Sequence, residues 1–397
     1  FFIDNANDMT NAKSYGQKVV CTNPCGEQPL APYSVCNLAA VNLAKMVNEK
    51  GQVDYDKLRD TVEVAIRLQD NVISATPYFM EENTIQALGE RRIGLGVMGL
   101  ADLLIKTGLV YGSEQGNVAV DKVFETIKLA AYRSSIEIAK EKGSFPFLNK
   151  KNGQANLAKR RKFIKSGFMK KMPKDIRDGV IEHGIRNSHL LTVAPTGSTG
   201  TMVGVATGLE PYFAFKYFRS GRLGKFIEVN APIVDEYLKQ ITVITDEFNP
   251  TPELPEFFIS AMELAPEAHA DVQCIIQKHV DSSISKTVNA PKGYTVSQVQ
   301  AVYERLHAGG AKGGTVYVDG SRDAQVLSLT NEENDVNELE VKTEEPKVVL
   351  VENIKPLQET NVNYGSEAGD TCPVCREGTV EELGGCNTCT SCGAQLK

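Results

Sequence analysis

The chain has 397 residues, of which 42% are hydrophobic and 23% are charged, a composition that is ordinary for a globular protein with a large buried core. Its net charge of −7 argues against a nucleic-acid-binding surface, because phosphate contacts need clustered Lys and Arg, and no apolar run is long enough to cross a membrane. Nine cysteines without a signal-peptide pattern favour a reducing compartment, the cytoplasm, over a disulfide framework. Since the first residue, Phe1, is not Met, we expect the chain to be part of a longer protein.

The first informative segment is a loop at 23–29, Asn-Pro-Cys-Gly-Glu-Gln-Pro. Two prolines and a glycine exclude a helix or a central strand, so Cys25 lies on a tight loop. In an extended loop the side chains of Asn23, Cys25 and Glu27 point to the same side. An amide, a thiol and a carboxylate that face one point can orient a substrate, abstract a hydrogen atom and accept a proton. A lone cysteine is more often a small core residue, but the adjacent acid favours the reactive interpretation.

Two long helices are predicted by apolar residues at helical spacing. The first covers 54–75, with Asp54 as its N-cap residue. The second covers 117–142 and should end at Gly143, because glycine favours a helix C-terminus and Pro146 cannot continue the helix.

Short apolar segments at 190–194 and 315–319 predict two strands. Between them, Thr295 and Gln298 have the spacing of a capping box and predict the start of a third helix. Strands that alternate with helices indicate a mixed α/β architecture with parallel strands.

A run of small residues follows the first of these strands. Backbone N–H groups and hydroxyls that converge in such a turn can bind a phosphate, especially where a helix begins after it. A turn of this composition is more often only a turn, but its position behind the cysteine loop favours a phosphate site. The candidate residues are Pro195, Thr196, Gly197, Ser198 and Thr199.

The segment 94–99, Gly-Leu-Gly-Val-Met-Gly, matches the G-x-G-x-x-G pattern of dinucleotide-binding loops. That pattern requires a buried strand immediately before it, and residues 86–92 do not have the composition of one. We therefore interpret these glycines as close packing at the start of a helix, and a nicotinamide-dependent oxidoreductase receives little weight.

Residues 371–397 hold five of the nine cysteines. An acidic segment without helical or strand periodicity, 331–370, precedes them and is interpreted as a flexible linker. Two C-x-x-C pairs separated by a short hairpin put four thiolates within tetrahedral reach, which is the spacing of a zinc ribbon. The predicted ligands are Cys372, Cys375, Cys389 and Cys392, with Cys386 left over.

A series of motifs in a fixed order gives the chain a family resemblance. The string Asn-Pro-Cys-Gly-Glu at 23–27, followed by Cys-Asn-Leu at 36–38, closely resembles the finger loop of ribonucleotide reductase large subunits. Further similar motifs lie at 92–100, 186–187, 194–199, 208–211, 281–287 and 320–327. The last two resemble the adenosylcobalamin-dependent branch in particular. The resemblance covers about residues 1–330 and the cysteine tail.

The resemblance implies a fold. Residues 1–330 would form the second half of a ten-stranded α/β barrel with the cysteine finger loop at its centre, followed by the small zinc-ribbon-like tail. The first half of the barrel and the effector site would lie in a missing N-terminal portion. Open strand edges make an isolated half barrel prone to aggregation, so we expect the N-terminal portion as a partner. A homodimer stays open.

The resemblance also implies a reaction, the reduction of ribonucleotides to 2′-deoxyribonucleotides for DNA synthesis. Ribonucleoside diphosphates are the first candidate substrates. Cys25 would become the thiyl radical that takes the 3′-hydrogen, Glu27 would accept the proton of the 3′-hydroxyl, and Asn23 would bind the ribose hydroxyls. Cys36 would be one of two thiols that reduce the sugar, and its usual partner lies upstream of this chain. A reductant of the thioredoxin or glutaredoxin type would restore the thiols.

Three sources of the radical distinguish the branches of the family. A metal-dependent subunit hands its radical through adjacent tyrosines, and the sequence contains no Tyr-Tyr pair. The glycyl-radical branch normally lacks the loop glutamate, whereas Glu27 is present. Adenosylcobalamin remains, and the resemblance implies it as the cofactor. The tail cysteines would either bind zinc or reduce the active-site disulfide by exchange, and both roles stay open.

Two alternative functions also stay open. One is a reductase that needs a separate metal-containing radical subunit. The other is an inactive half barrel that serves as a binding module with a zinc ribbon. The intact pair of Cys25 and Glu27 argues against the second alternative.

Overall fold

The computed structural model describes residues 1–221, 224–242, 253–321, 367–370, 372, 379–383, 386–391 and 394–396. These residues belong to two compact units, Phe1–Glu332 and Glu333–Lys397. Most of the predicted acidic linker, 331–370, lies outside the described residues. Within the described ranges, no helix is long and apolar enough to cross a membrane.

The first unit alternates helices with short strands. Its helices are α1 (Ile3–Met9), α2 (Tyr55–Ala75), α3 (Glu81–Glu90), α4 (Leu100–Lys106), α5 (Glu114–Lys142), α6 (Leu157–Phe163), α7 (Lys174–His183), α8 (Gly197–Met202), α9 (Pro232–Thr242), α10 (Pro266–Gln277) and α11 (Val296–Ala308). Short 3-10 helices cover Asn11–Tyr15, Leu43–Lys45, Pro146–Leu148 and Met169–Lys171. The strands are β1 (Cys21–Thr22), β2 (Pro29–Leu30), β3 (Asn37–Asn42), β4 (Ile93–Met98), β5 (Lys216–Gly221), β6 (Gly224–Asn230), β7 (Thr287–Ala290) and β8 (Thr315–Val318).

Five extended segments of this unit lie side by side and run parallel. β3 pairs with β4 along its whole length. Leu95 of β4 bridges Leu191, and Val193 in turn bridges Ile284. The chain continues from Ile284 into β7, which pairs with β8. The spatial order therefore follows the chain order, and the predicted parallel α/β architecture is confirmed.

The predicted strand at 190–194 forms the centre of this parallel array, although as bridges rather than one continuous strand. The N–H groups of Leu190 and Leu191 donate to the carboxylate of Asp281 at 2.8 and 2.9 Å, so a side chain occupies positions that a strand backbone would otherwise take. The second predicted strand, at 315–319, is β8.

The two long helices form where their caps and apolar residues predict them. The carboxylate of Asp54 accepts the N–H of Lys57 at 3.0 Å, and α2 begins there. α5 begins at Glu114, earlier than predicted, because the hydroxyl of Ser113 caps it, and it ends at Gly143 as predicted. Both helices bury an apolar face in one core that also contains the side chains of β4.

The third predicted helix, α11, begins at a complete capping box. The hydroxyl of Thr295 accepts the N–H of Gln298, and the side chain of Gln298 accepts the N–H of Thr295. Val302 and Leu306 of this helix are buried with Val288 of β7. The prediction is confirmed.

The glycine-rich segment 94–99 is mostly a strand, and the prediction of a helix start was wrong for its first five residues. Gly94 and Gly96 lie in β4, and only Gly99, with a φ of 73°, precedes the helix α4. A Cβ on Gly96 would lie 2.4 Å from the carbonyl oxygen of Thr192, so only glycine lets the central segment approach β4 this closely. The sequence shows the small residues but not the neighbour that requires them.

The second unit contains a three-stranded antiparallel sheet. Its strands are β9 (Val380–Leu383), β10 (Cys386–Cys389) and β11 (Gln395–Leu396), with β10 in the middle. Cys372 and Cys389 are buried in one cluster with Val380. Two predicted zinc ligands, Cys375 and Cys392, lie outside the described residues, and the residues that are described contain no group of three or more metal-binding side chains. The zinc site therefore stays a prediction.

Candidate active site

The loop around Cys25 is closed by a short hairpin. β1 and β2 pair antiparallel, with Cys21 opposite Leu30. The chain turns at Gly26, whose φ of 79° is readily adopted only by glycine. Cys25 lies at this turn with an exposed side chain. The tight loop predicted from the prolines and the glycine is confirmed.

The side chains of Asn23 and Glu27 meet across the turn. Asn23 Nδ2 donates to Glu27 Oε1 at 2.7 Å, and Asn23 Oδ1 accepts the N–H of Gln28 at 3.0 Å. Glu27 is only 1% exposed, and its second oxygen, Oε2, has no hydrogen-bond partner among the described residues. A general base must be held in position and must keep an atom that can accept a proton. Here the Asn23 amide orients the carboxylate, and Oε2 is left to accept a proton.

The backbone of Glu27 is tied to the centre of the parallel array. Its carbonyl oxygen accepts the hydroxyl of Thr192 at 2.6 Å and the N–H of Ser283 at 2.9 Å. The Thr192 hydroxyl also lies 3.1 Å from the carbonyl oxygen of Ser283. These contacts fix the loop on two neighbouring segments of the array, so the carboxylate is positioned by rigid elements.

Cys36 lies immediately before β3 and beside the same loop. A Cβ on Gly94 would lie 2.7 Å from Gln28 Nε2 and 2.9 Å from Cys36 Sγ, so this amide and this thiol are neighbours. Burial raises the pKa of the Cys36 thiol far above its usual range, and the charge of Arg92 opposes that rise.

The predicted phosphate loop directly follows the central segment of the array. α8 begins at Gly197, and residues 197–199 are exposed in its first turn, where backbone N–H groups have no partner within the helix. Pro195 and Thr196 precede the helix and are half-buried. Thr196 has a φ of 49°, and its hydroxyl accepts the N–H of Gly208 at 2.7 Å. An exposed helix start of this kind suits an anion.

Two further motifs contribute ion pairs in which one partner is fully buried. Arg186 Nε lies 3.2 Å from the carboxylate of Asp70, which also accepts a hydrogen bond from Asn187 at 3.1 Å. Glu210 lies 2.7 Å from the ammonium group of Lys286. These contacts join α2 and the loops to the array, and they give both motifs a structural role.

Two buried polar residues beside Cys36 were not singled out from the sequence. Gln28 is 2% exposed, and neither polar atom of its amide has a hydrogen-bond partner among the described residues. Arg92 is 1% exposed, and the same holds for its three guanidinium nitrogens. Both residues lie within or next to motifs that the sequence shows, but their burial, which makes them notable, is visible only in the fold.

Residues 1–317 match the family described as "Ribonucleotide reductase, barrel domain", and the chain belongs to this family. It is 36% identical over 341 residues to the vitamin B12-dependent ribonucleoside-diphosphate reductase of Mycobacterium tuberculosis, an overlap of 82% of this chain and 45% of that protein. A protein of the same name from Thermoplasma acidophilum is 31% identical over 386 residues, or 94% of this chain and 46% of that protein.

A more distant relative is the ribonucleoside-diphosphate reductase subunit alpha of Chlamydia muridarum. It is 27% identical over 324 residues, which are 74% of this chain and 31% of that protein. The chain therefore spans less than half the length of each of these three relatives.

Proposed function

We propose that the protein containing this chain reduces ribonucleotides, diphosphates foremost, to 2′-deoxyribonucleotides through a thiyl radical on Cys25. One observation carries the proposal. Beside the exposed Cys25, Glu27 is buried, Asn23 orients one of its oxygens at 2.7 Å, and the other oxygen has no partner among the described residues. The names of the relatives, which are ribonucleoside-diphosphate reductases, support this reaction and the diphosphate substrate.

Each residue of the loop has a separate role in this reaction. Cys25 takes the hydrogen atom from C3′ of the ribose, Glu27 accepts the proton of the 3′-hydroxyl at Oε2, and Asn23 binds the ribose hydroxyls. Cys36 and a partner thiol outside this chain supply the reducing hydrogen as the 2′-hydroxyl leaves as water, and the two thiols become a disulfide. A dithiol reductant of the thioredoxin or glutaredoxin type restores them.

We assign the substrate phosphates to the loop at 195–199. The exposed helix start at 197–199 supports this assignment, because its N–H groups favour an anion. The loop follows the central segment of the array, whose Thr192 also contacts the carbonyl oxygen of Glu27. One substrate could therefore extend from the phosphate loop to the cysteine loop.

Adenosylcobalamin is the radical source that we propose. The printed names of the Mycobacterium and Thermoplasma relatives include vitamin B12, and this sequence has no Tyr-Tyr pair. The described residues fit the cofactor because the thiol that would face it, on Cys25, is exposed. When bound, adenosylcobalamin supplies an unpaired electron through its cobalt–carbon bond. The part of this chain is to hold Cys25 at the hairpin turn, with Glu27 fixed next to it.

We propose that the five parallel segments are the second half of a ten-stranded barrel around the cysteine loop. Among the described residues β3 pairs only with β4, and Leu38 of β3 is 48% exposed, which suits a neighbour supplied from elsewhere. The partner for both open edges would be the remaining part of a longer polypeptide. We place this protein in the cytoplasm, with a homodimer as one possible assembly.

For the cysteine tail two roles remain, zinc binding and reduction of the active-site disulfide. The burial of Cys372 and Cys389 in one cluster supports zinc binding. The proposed ligands are Cys372, Cys375, Cys389 and Cys392. Zinc that copurifies at one ion per chain and is lost in Cys389→Ser would favour the structural role. If turnover of Cys389→Ser fails with a dithiol protein reductant but not with dithiothreitol, the result would favour disulfide exchange.

Turnover of ribonucleoside diphosphates with dithiothreitol, with and without adenosylcobalamin, tests the function in the full-length protein. Product should depend on the cofactor and should be lost in Cys25→Ser. Cys21→Ser is the matched control, because Cys21 is an exposed cysteine on the same hairpin. Product that requires a metal-containing radical subunit instead would favour that branch of the family. Nucleotide binding without product under every condition would favour the inactive binding module.

A further inference from the structure

Cys36 and Arg92 line one small cavity next to the starts of β3 and β4. The cavity has a volume of about 80 Å³, and its walls include the apolar side chains of Val35, Ile73 and Ala87. A redox thiol and a guanidinium group therefore share a largely apolar space. In such surroundings electrostatic interactions are stronger than in water.

The guanidinium group of Arg92 has an incomplete set of partners. Its side chain is fully buried, and Nε lies 3.4 Å from Oε1 of Glu90. The other oxygen of Glu90 accepts the hydroxyl of Tyr15 at 3.2 Å. None of the three nitrogens has a hydrogen-bond acceptor among the described residues, although a guanidinium group carries five N–H donors. Burying these donors unpaired is strongly unfavourable, so another acceptor is expected in the working protein.

A second unpartnered group, the amide of Gln28, also lies near this thiol. Both polar atoms of the Gln28 amide are buried without a partner among the described residues, and Gln28 Nε2 is a neighbour of Cys36 Sγ. Two side chains with unused N–H donors thus lie near Cys36, Arg92 across the shared cavity and Gln28 beside Gly94. A sulfur anion is an acceptor that would satisfy both of them.

We propose that Arg92 is a positioning residue whose charge and N–H groups favour the thiolate form of Cys36, with the Gln28 amide as a second donor. The inference rests on the proposed redox role of Cys36. It assigns the unpaired donors to the sulfur rather than to the ribose or its phosphates.

The charged groups around Cys36 oppose one another. Burial raises the pKa of Cys36 most, and three carboxylates add to that effect, those of Glu90, Asp281 and Glu27. Arg92 acts in the opposite direction. Among these described groups Arg92 is therefore the one that limits the cost of an ionised sulfur.

This charge matters most when a disulfide that contains Cys36 is reduced. The thiolate of a dithiol reductant attacks the partner sulfur and forms a new S–S bond with it. The old S–S bond breaks, its electron pair stays on Cys36 Sγ, and the resulting thiolate later takes a proton from solvent. Because a thiolate of lower pKa leaves faster, Arg92 would accelerate this step.

Alkylation of Cys36 by iodoacetamide in the full-length protein measures the effect without turnover, because the thiolate is the reacting form. Cleavage after Glu27 and Glu49 isolates Cys36 from all other cysteines for mass spectrometry. Cys274 is the internal reference, because burial raises its pKa to about 11 and its charged neighbours do not include Arg92.

Arg92→Met should slow the alkylation of Cys36 relative to Cys274 about tenfold, as expected for the loss of one nearby opposite charge. Arg92→Lys keeps the charge and should slow it by no more than about threefold. Glu90→Gln should accelerate it, because a carboxylate that raises the pKa is removed. Loosening of the fold accelerates alkylation and so cannot produce the slowing expected in Arg92→Met. In Glu90→Gln, the rate at Cys36 relative to Cys274 separates a local charge effect from general loosening, which would accelerate both cysteines.

An unchanged relative rate in Arg92→Met, or a rate in Arg92→Lys as low as in Arg92→Met, would overturn the proposal. If Arg92→Met unfolds the protein, Cys274 reacts faster as well, and Glu90→Gln then decides, since no acceleration at Cys36 would also overturn it. Product formation is not part of this measurement. Failure of the proposed reductase function would instead appear as turnover that persists in Cys25→Ser.

Discussion

Replacing Thr192 with Val tests how the active-site loop is held. The buried hydroxyl of Thr192 donates to the carbonyl oxygen of Glu27 at 2.6 Å. Val keeps the shape of the side chain but removes this donor. The carbonyl oxygen would then retain only the N–H of Ser283, at 2.9 Å.

The expected magnitude follows from these two bonds. One buried hydrogen bond contributes about 1 kcal/mol net, and the Glu27 oxygen keeps a second donor, so the free energy of unfolding should fall by about 1–2 kcal/mol. Thr126→Val is the matched control, because the hydroxyl of Thr126 donates to the carbonyl oxygen of Lys122 at 2.8 Å on an exposed face of α5. This control should lower the free energy of unfolding by less than about 0.5 kcal/mol.

Urea unfolding of both variants measures the difference, and steady-state kinetics measures its consequence. In Thr192→Val we expect kcat to fall more than KM changes, because the carboxylate of Glu27 shifts while the phosphate loop does not. Equal stabilities of Thr192→Val and Thr126→Val would refute the idea that this hydroxyl holds the loop. An unchanged kcat would show that the position of the carboxylate does not depend on it.

Three other changes test neighbouring features. Gly96→Ala places a Cβ 2.4 Å from a backbone carbonyl oxygen and should lower the free energy of unfolding, measured by calorimetry, by about 1–3 kcal/mol. Gly197→Ala, with no atom within 4 Å of its Cβ, should not lower it. Equal melting of the two variants would contradict the close approach of the strands. Glu27→Gln should abolish deoxynucleotide formation and leave the melting temperature nearly unchanged, because the new amide oxygen can still accept from Asn23; retained turnover would remove Glu27 from the proposed mechanism. Burial lowers the pKa of Lys312 to about 7, so above that pH the unfolded chain binds one more proton than the folded chain until Lys312 titrates in the unfolded chain. Relative to Lys312→Met, the wild type should therefore gain up to roughly 1.4 kcal/mol per pH unit as the pH rises above about 7. It should lose this gain as the pH falls back to about 7, and stability curves that stay parallel above pH 7 would contradict the prediction.

The parts of the fold that could be predicted are those that short-range contacts decide. Asp54 caps α2, Gly143 ends α5 and Thr295 starts α11, each through groups close in sequence. The turn at Cys25 is predictable for the same reason, because prolines and a glycine restrict the backbone directly. The geometry of Glu27 was not predicted, because an extended loop was expected from the sequence, whereas the chain turns at Gly26 and Asn23 meets Glu27 across that turn.

What could not be predicted depends on neighbours that are distant in sequence. Residue 96 must be glycine because the carbonyl oxygen of Thr192 approaches it within the array, and no local pattern contains that information. Gln28 and Arg92 are ordinary polar residues in the sequence, and on the surface water would satisfy them. They become notable because the fold buries both of them beside Cys36.

The unpaired polar atoms around the cysteine loop support an active site there. The following atoms are buried without a hydrogen-bond partner among the described residues: Glu27 Oε2, the amide of Gln28, the guanidinium of Arg92 and the hydroxyls of Ser282 and Ser283. Each such group costs about 1–3 kcal/mol, so a core shaped by stability alone would pair or replace them. The N–H of Ser283 donates to the carbonyl oxygen of Glu27, and Gln28 and Arg92 lie near Cys36, so several of these groups lie close to the cysteine loop or to Cys36. Unpaired buried polar groups occur mainly at functional sites. We therefore infer that the substrate and the active-site sulfur atoms are the hydrogen-bond partners of these groups.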